Sequence, residues 1–240
     1  MKKIYLSLFA LQLLFIYKNS TAQVEDRDGL MMADSYPGGI VETRELEKSS
    51  VVEGSFFINN NWSVGNVILY SGKAIKGMPL KYNLRDEALL LLDENQVSRL
   101  LRDDQIEKFE WFDSEKNKNT LFINCLDYNL NGVPMVGFLE VLTAGQVDLL
   151  LYRTLTLQEG YYSVTHDAGQ LNDEYKINEF YYLSSEKSLY EIKNKKALYE
   201  YTGDHSGEIK SFIKSNGLRV NNSDDLAKII KYYNEIIRIY

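Results

Sequence analysis

From Gly54 onward the chain is organised by short apolar runs that alternate with other positions and are broken, about every ten residues, by turn-forming residues. The clearest stretch is Trp62-Ser-Val-Gly65-Asn-Val67-Ile-Leu69-Tyr70, followed by the turn Ser71-Gly72-Lys73, then Leu80-Lys-Tyr82-Asn83 and Leu89-Leu-Leu-Leu92. Val67 and Leu69 alternate with Ile68 and Tyr70, so both faces of that strand carry side chains suited to a pleated, half-buried surface. Gly72 gives the turn its permissive backbone. The pattern predicts strands near 55–58, 63–70, 77–83, 87–93, 105–112, 119–128, 134–143, 147–157, 176–184 and 187–193. Arg85-Asp86, Asn131-Gly132, Ala144-Gly145-Gln146 and Ser185-Glu186 supply further turns. Residues 96–101 lack clear alternation and fit a helical turn, and residues 158–175, poor in aliphatics, fit a long loop. Leu89–Leu92 and Leu149–Leu151 are apolar at successive positions, which predicts cover on both sides of the sheet there.

At Asn194 the period changes from two to that of a helix. Lys195-Lys196-Ala197-Leu198 begins a helical stretch, and a second helix after Asp204 carries Ile209, Phe212 and Ile213 on one stripe. Gly217 is placed as the left-handed residue that ends it, with Leu218 packing back on Ile213. Ser223 is the expected cap of a last helix, whose first turn holds Asp224 and Asp225 and whose buried face is Leu226, Ile229, Ile230 and Tyr233. The predicted fold is therefore α+β: a mostly antiparallel meander of about ten short strands, curved or barrel-like, followed by two to three C-terminal helices that cover one face of the sheet.

The first 53 residues read differently. Lys2-Lys3, the apolar run from Ile4 to Tyr17 and the small residues Ser20-Thr21-Ala22 have the layout of a signal peptide spanning 1–22, cleaved before Gln23. The apolar run is short for a membrane-spanning helix. Export follows, with periplasmic residence preferred over secretion and no transmembrane segment left after cleavage. Residues 23–53 form a charged, extended and partly disordered lead-in, with Pro37-Gly38-Gly39 as a break and a short helix expected near 42–48. The 54–193 β region and the 194–240 helical region are expected to form one globular unit.

Loss of the leader removes Lys2, Lys3 and Lys18, which lowers the basic residues from 27 to 24 against 34 acidic ones and moves the net charge from −7 to −10. Such an acidic chain is poorly suited to nucleic acid. A single cysteine, Cys125, cannot close an internal disulfide, and its strand-like surroundings suit a small buried hydrophobe.

Candidate chemistry is sparse. Asp127-Tyr-Asn129-Leu-Asn131-Gly132 matches the first half of a calcium loop, in which alternating oxygen side chains wrap a hard cation. The twelfth position is Phe138 where a bidentate Glu should stand, so a hairpin turn closed by Asn131-Gly132 is favoured over metal. His166 and His205 sit in no metal-ligand spacing. His166-Asp167, near Ser163, has the makings of a catalytic His–carboxylate pair, but no nucleophile motif accompanies it. Tyr161-Tyr162 and Tyr181-Tyr182 are aromatic pairs that would form a binding platform if exposed; on a strand, each pair splits between the two faces. No cofactor is implied.

Trp62-x-x-Gly65-x-Val67-x-Leu69-x-x-Gly72, Leu80-x-Tyr82-Asn83 and Leu89 resemble a group of uncharacterised exported proteins common in Bacteroidota. The likeness extends through Tyr181-Tyr182-Leu, Leu189-Tyr190-Glu-Ile192, Lys195-Lys196-x-Leu198, Ile209-Lys-x-Phe212-Ile213-Lys-x-Asn216, Asp225-Leu226 and Tyr232-Tyr233-Asn234, roughly from Gly54 to Tyr233. The resemblance implies export and this fold, and supplies no catalytic residue. The expected function is a non-enzymatic binding module of the periplasm or envelope that takes a protein partner or another envelope component. The alternatives are a carrier of a small apolar, lipid-like ligand in a curved sheet, and a hydrolase using carboxylates or His166.

Overall fold

The structure, a computed structural model, describes residues 31–32, 41–43, 52–114, 116–130, 132–159, 161–163, 168–170 and 172–238. The leader, Asn131, His166 and Asp167 lie outside them. Ten strands carry the fold: β1 (Ser63–Leu69), β2 (Ala74–Asn83), β3 (Ala88–Leu92), β4 (Ser98–Arg102), β5 (Ile106–Asp113), β6 (Lys118–Asn124), β7 (Phe138–Thr143), β8 (Asp148–Gln158), β9 (Asp173–Ser185) and β10 (Ser188–Glu191). They pair in the order β4-β3-β2-β1-β5-β6-β7-β8-β9-β10, each antiparallel to its neighbour. Short strands lengthen both edges: Met31–Met32 and Val41–Thr43 beyond β4, and the hairpin Asn129–Leu130 with Val133–Pro134 beyond β10. Helices α1 (Lys195–Thr202), α2 (Ser206–Asn216) and α3 (Ser223–Ile237) close the chain, so the α+β reading holds. Among the described residues, no helix is long and apolar enough to cross a membrane.

The sheet is open but strongly curled. The rings of Tyr82 on β2 and Phe138 on β7 are 5.3 Å apart, although four ladder steps would put those strands about 19 Å apart in a flat sheet. Curling brings Phe109, Trp111, Phe122 and Phe138 together with Leu69, Leu80, Leu89 and Leu101 in one packed core. Gly65 sits at a tight approach of β1 to β5: a Cβ there would stand 2.1 Å from the Glu110 carbonyl oxygen and 2.8 Å from Leu80 Cδ1.

The helices cover only part of the sheet. Leu142, Leu149, Tyr181 and Leu183, on the inner face of β7, β8 and β9, meet Leu198, Ile209, Leu226, Ile229 and Ile230 from the three helices. Asn234 fixes this layer by accepting from Val147 N and donating from Nδ2 to Val147 O, both at 2.8 Å. On the outer face, Leu139, Leu150 and Tyr182 pack under Cys125 and Met135 of the segment linking β6 to β7.

Several expectations need correction. Residues 98–102 form strand β4 where a helical turn was expected, because Leu100 and Leu101 pair across from Leu90 and Leu89. The β3–β4 turn is tied by Asp93, whose Oδ1 accepts from Asn95 N and Val97 N. At 55–58 there is one bridge, Phe57 to Asn83, in place of a strand. Val41–Thr43 is a strand where the lead-in helix was to begin, and the rest of 42–48 lies outside the described residues. The expected 158–175 loop is largely strand: β8 runs to Gln158, β9 begins at Asp173, and Tyr161–Ser163 pairs with Ala168–Gln170. Backbone pairing does this without aliphatic side chains, so periodicity missed it. Asn222, not Ser223, caps α3, its side chain accepting from Asp225 N.

Candidate functional site

The site is built around an edge that runs out of partners. β8 pairs along its whole length with β9, from Glu174 to Ser184. On its other edge β9 pairs, among the described residues, only at its two ends: in parallel with Val52–Glu53 at Asp173 and Glu174, and with β10 from Tyr182 to Ser185. The last bond on the β10 side is from Ile192 N to Tyr181 O, 2.8 Å. The chain then turns away through Asn194, whose extended backbone and side-chain bond from Ala197 N start α1. This departure leaves a cleft of about 750 Å³ bounded by Glu179 and Tyr181 of β9, the 191–195 segment, and residues 219–221 between α2 and α3. Its volume falls within the usual range of small-ligand sites.

A chain of ion pairs runs under the sheet to this cleft. Arg153 and Glu179 stand directly opposite each other on β8 and β9. Arg153 Nε donates to Glu179 Oε1 at 2.9 Å, and Nη1 donates to Glu140 Oε2 at 2.6 Å. Glu140 is 2% exposed and also accepts from Lys116 Nζ at 3.2 Å. Tyr181 donates its hydroxyl to Glu179 Oε2 at 3.1 Å. Burial opposes the charge on Arg153, but the two glutamates outweigh it and hold its pKa above the ordinary value. Burial, with Glu179 beside it, pushes the Tyr181 phenol up to about 12, so it remains a neutral donor.

The cleft's glutamates are thus already engaged: Glu179 with Arg153 and Tyr181, and Glu191 with Lys193 at 3.3 Å. Arg219 pairs loosely with Asp225 at 3.6 Å and is largely exposed. Lys195 has no acidic partner among the described residues. Three cations face two carboxylates, which makes a positive recess in a chain of net charge −7. Such a recess binds through charge and hydrogen bonds; its phenol and carboxylates hold one another in place.

Of the tyrosines picked out by sequence, Tyr181 lines the cleft, while Tyr182 points to the opposite face, 4% exposed, its phenol raised to about 12 by burial. The strand therefore splits this pair between faces, as alternation requires. Tyr161 and Tyr162 lie on the short hairpin between β8 and β9, Tyr162 opposite Gly169. In the calcium-like loop, Asp127 pairs with Lys187 Nζ at 3.2 Å and the Asn129 side chain accepts from Gly132 N at 3.4 Å. Gly132, at φ 82°, turns the short hairpin there. Among the described residues no three His, Cys, Asp or Glu side chains gather as a metal cage. His205 lies in the turn before α2, 3.5 Å from Glu208. Cys125 is fully buried, its thiol raised to about 12 by burial. The sequence reading missed Glu140, Arg153, Glu179, Lys195 and Arg219. A signal for the first two was present: each is a charge at a core-facing position of an apolar strand, Glu140 between Phe138 and Leu142, Arg153 between Leu151 and Leu155. Comparison of the chain with known protein families, with curated proteins and with solved structures finds no match.

Proposed function

We propose that the mature chain is an exported, non-catalytic binding module of the periplasm or cell envelope, and that it takes a protein partner in the cleft between β9, β10 and the α2–α3 loop. The observation that carries this reading is the bare edge of β9 opening into a positive recess whose acids are already paired. Export rests on Lys2-Lys3, the apolar run to Tyr17 and the small residues before Gln23, and on the resemblance to exported proteins. The apolar-carrier alternative has less support, since the hollow of the curl is filled by Phe109, Phe122, Phe138 and Trp111.

Expression of the full chain in a bacterium with two membranes, followed by N-terminal sequencing, should return a product beginning at Gln23 in the periplasmic fraction. Crosslinking in intact cells should capture a stoichiometric envelope protein with the wild type and lose it with Lys195→Glu/Arg219→Glu. A cytoplasmic product with its leader intact removes export. The same partner held equally by the double variant removes the cleft.

A further inference from the structure

We propose that the cleft's partner is an extended acidic peptide segment that adds itself as a strand to the free edge of β9; this rests on the binding-module reading above and names its mode of recognition. The direction of the β9 backbone groups follows from one bond. Because Tyr181 O accepts from Ile192 N on the β10 side, alternation turns the N–H and C=O of Glu179, Ile177 and Tyr175 to the same edge. Gly54 lies against the Tyr175 backbone, where an added Cβ would meet Tyr175 O at 2.6 Å. Between that cover and Ile192, the outward groups of Ile177 and Glu179 have no strand partner among the described residues. This gap of about 13 Å along residues 176–180 accepts a short extended segment. Both of its shoulders are already strands of the same sheet, so an incoming strand completes an interrupted ladder.

The surroundings choose the chemistry of that segment. An arriving chain would run from Ile177, which is 37% exposed, into the recess beside Lys195, Lys193 and Arg219. Glu179, a carboxylate on this stretch of β9, is turned onto Arg153 and Tyr181, so it is already partnered before anything binds. Backbone bonds supply affinity without sequence preference, and the cations favour acidic side chains or a terminal carboxylate.

Purified mature chain tests this with four synthetic probes read by fluorescence anisotropy: a labelled octapeptide alternating valine and glutamate, its valine–lysine counterpart, and two versions of the acidic peptide N-methylated at alternate amides, one in each phase. The acidic peptide should bind at least about tenfold more tightly than the basic one. One N-methylation phase should abolish binding, and Lys195→Glu should weaken it. Ile177→Pro should also abolish it while the chain keeps its circular dichroism, because that N–H faces away from the β8–β9 ladder. Should Ile177→Pro not fold, the N-methylated probes still decide. Equal binding of both charge types, indifference to methylation in both phases, or no binding up to about millimolar peptide overturns the proposal. So does a concentration-dependent dimer that Ile177→Pro disperses, since a second copy would then occupy the edge. If the peptides fail but the crosslinked partner is still lost with Lys195→Glu/Arg219→Glu, strand addition falls and the cleft remains the binding site.

Discussion

Arg153 occupies a position that its neighbours Leu151 and Leu155 would lead one to fill with an aliphatic side chain, and its fork is used in two directions at once. Removing one member of a buried ion pair strands the other, which costs more than the pair itself contributes. Arg153→Met should therefore lower stability by about 3–5 kcal/mol in urea unfolding, because Glu140 keeps only Lys116. The double variant Glu140→Leu/Arg153→Met should be less damaged than that single one, since no carboxylate is then left buried without its partner. Equal loss in both would assign the effect to packing volume instead of charge. Single residues of this kind are partly legible in sequence. A charge at a core-facing strand position can be flagged, but its partners, 13 and 26 residues away, are set by pairing between strands.

At the scale of elements, what a few neighbouring residues decide was readable. Gly217 is left-handed at φ 62° and Leu218 N returns to Ile213 O at 3.0 Å, as the Asn216-Gly217-Leu218 pattern anticipates. Leu226, Ile229, Ile230 and Tyr233 are buried along α3, as their spacing predicts. The β3–β4 hairpin was not readable, because Ser98–Arg102 is extended by its pairing with β3 and by the turn that Asp93 ties. Burial raises the Asp93 carboxyl, but bonds from Val97 N, Arg99 Nε and Asn95 N outweigh it and hold the pKa below the ordinary carboxylate value. A depressed carboxylate contributes stability that is present above the unfolded pKa, about 3.9, and is lost as pH falls through the lower folded value. Asp93→Asn should thus cost about 1–3 kcal/mol at neutral pH and flatten the acid limb of a stability–pH curve, measured by urea unfolding between pH 2 and 7. An unchanged acid limb would remove Asp93 from that account.

For the molecule as a whole, the decisive fact is that β7 and β8 serve more than one core. Phe138 packs in the curled half, while Leu142 and Leu149 pack beneath the helices. Neither the curl nor the bare edge of β9 has a local signature: both arise from which strands end beside which, and that is why Tyr181 was named while the recess around it was not. The helical layer is held to this shared region by Asn234, which lies so close to Gly145 that a Cβ there would stand 2.4 Å from Nδ2. Asn234→Ala would leave the buried Val147 amide and carbonyl without these partners, at a cost of about 1–3 kcal/mol. Hydrogen exchange should then speed up across residues 223–237 ahead of β1, β5 and β6. Uniform acceleration through both regions would mean that the layers open together.

Order of appearance along the chain gives the shared strands a further consequence. Every strand of the main sheet precedes Lys195, so a chain folding as it emerges completes its sheet before the cover for Leu149 and Leu183 exists. At ordinary translation rates, synthesis of the remainder takes roughly 2–9 s, longer than most hairpins need to form. For that interval the nascent protein displays the aliphatic surface of Leu149 and Leu183 next to an unfinished strand edge, a combination that readily recruits neighbouring chains into aggregates. Holding factors that shield newborn chains would therefore be needed most during the last fifth of synthesis, and a message truncated near codon 194 should yield insoluble product even though its whole sheet is encoded.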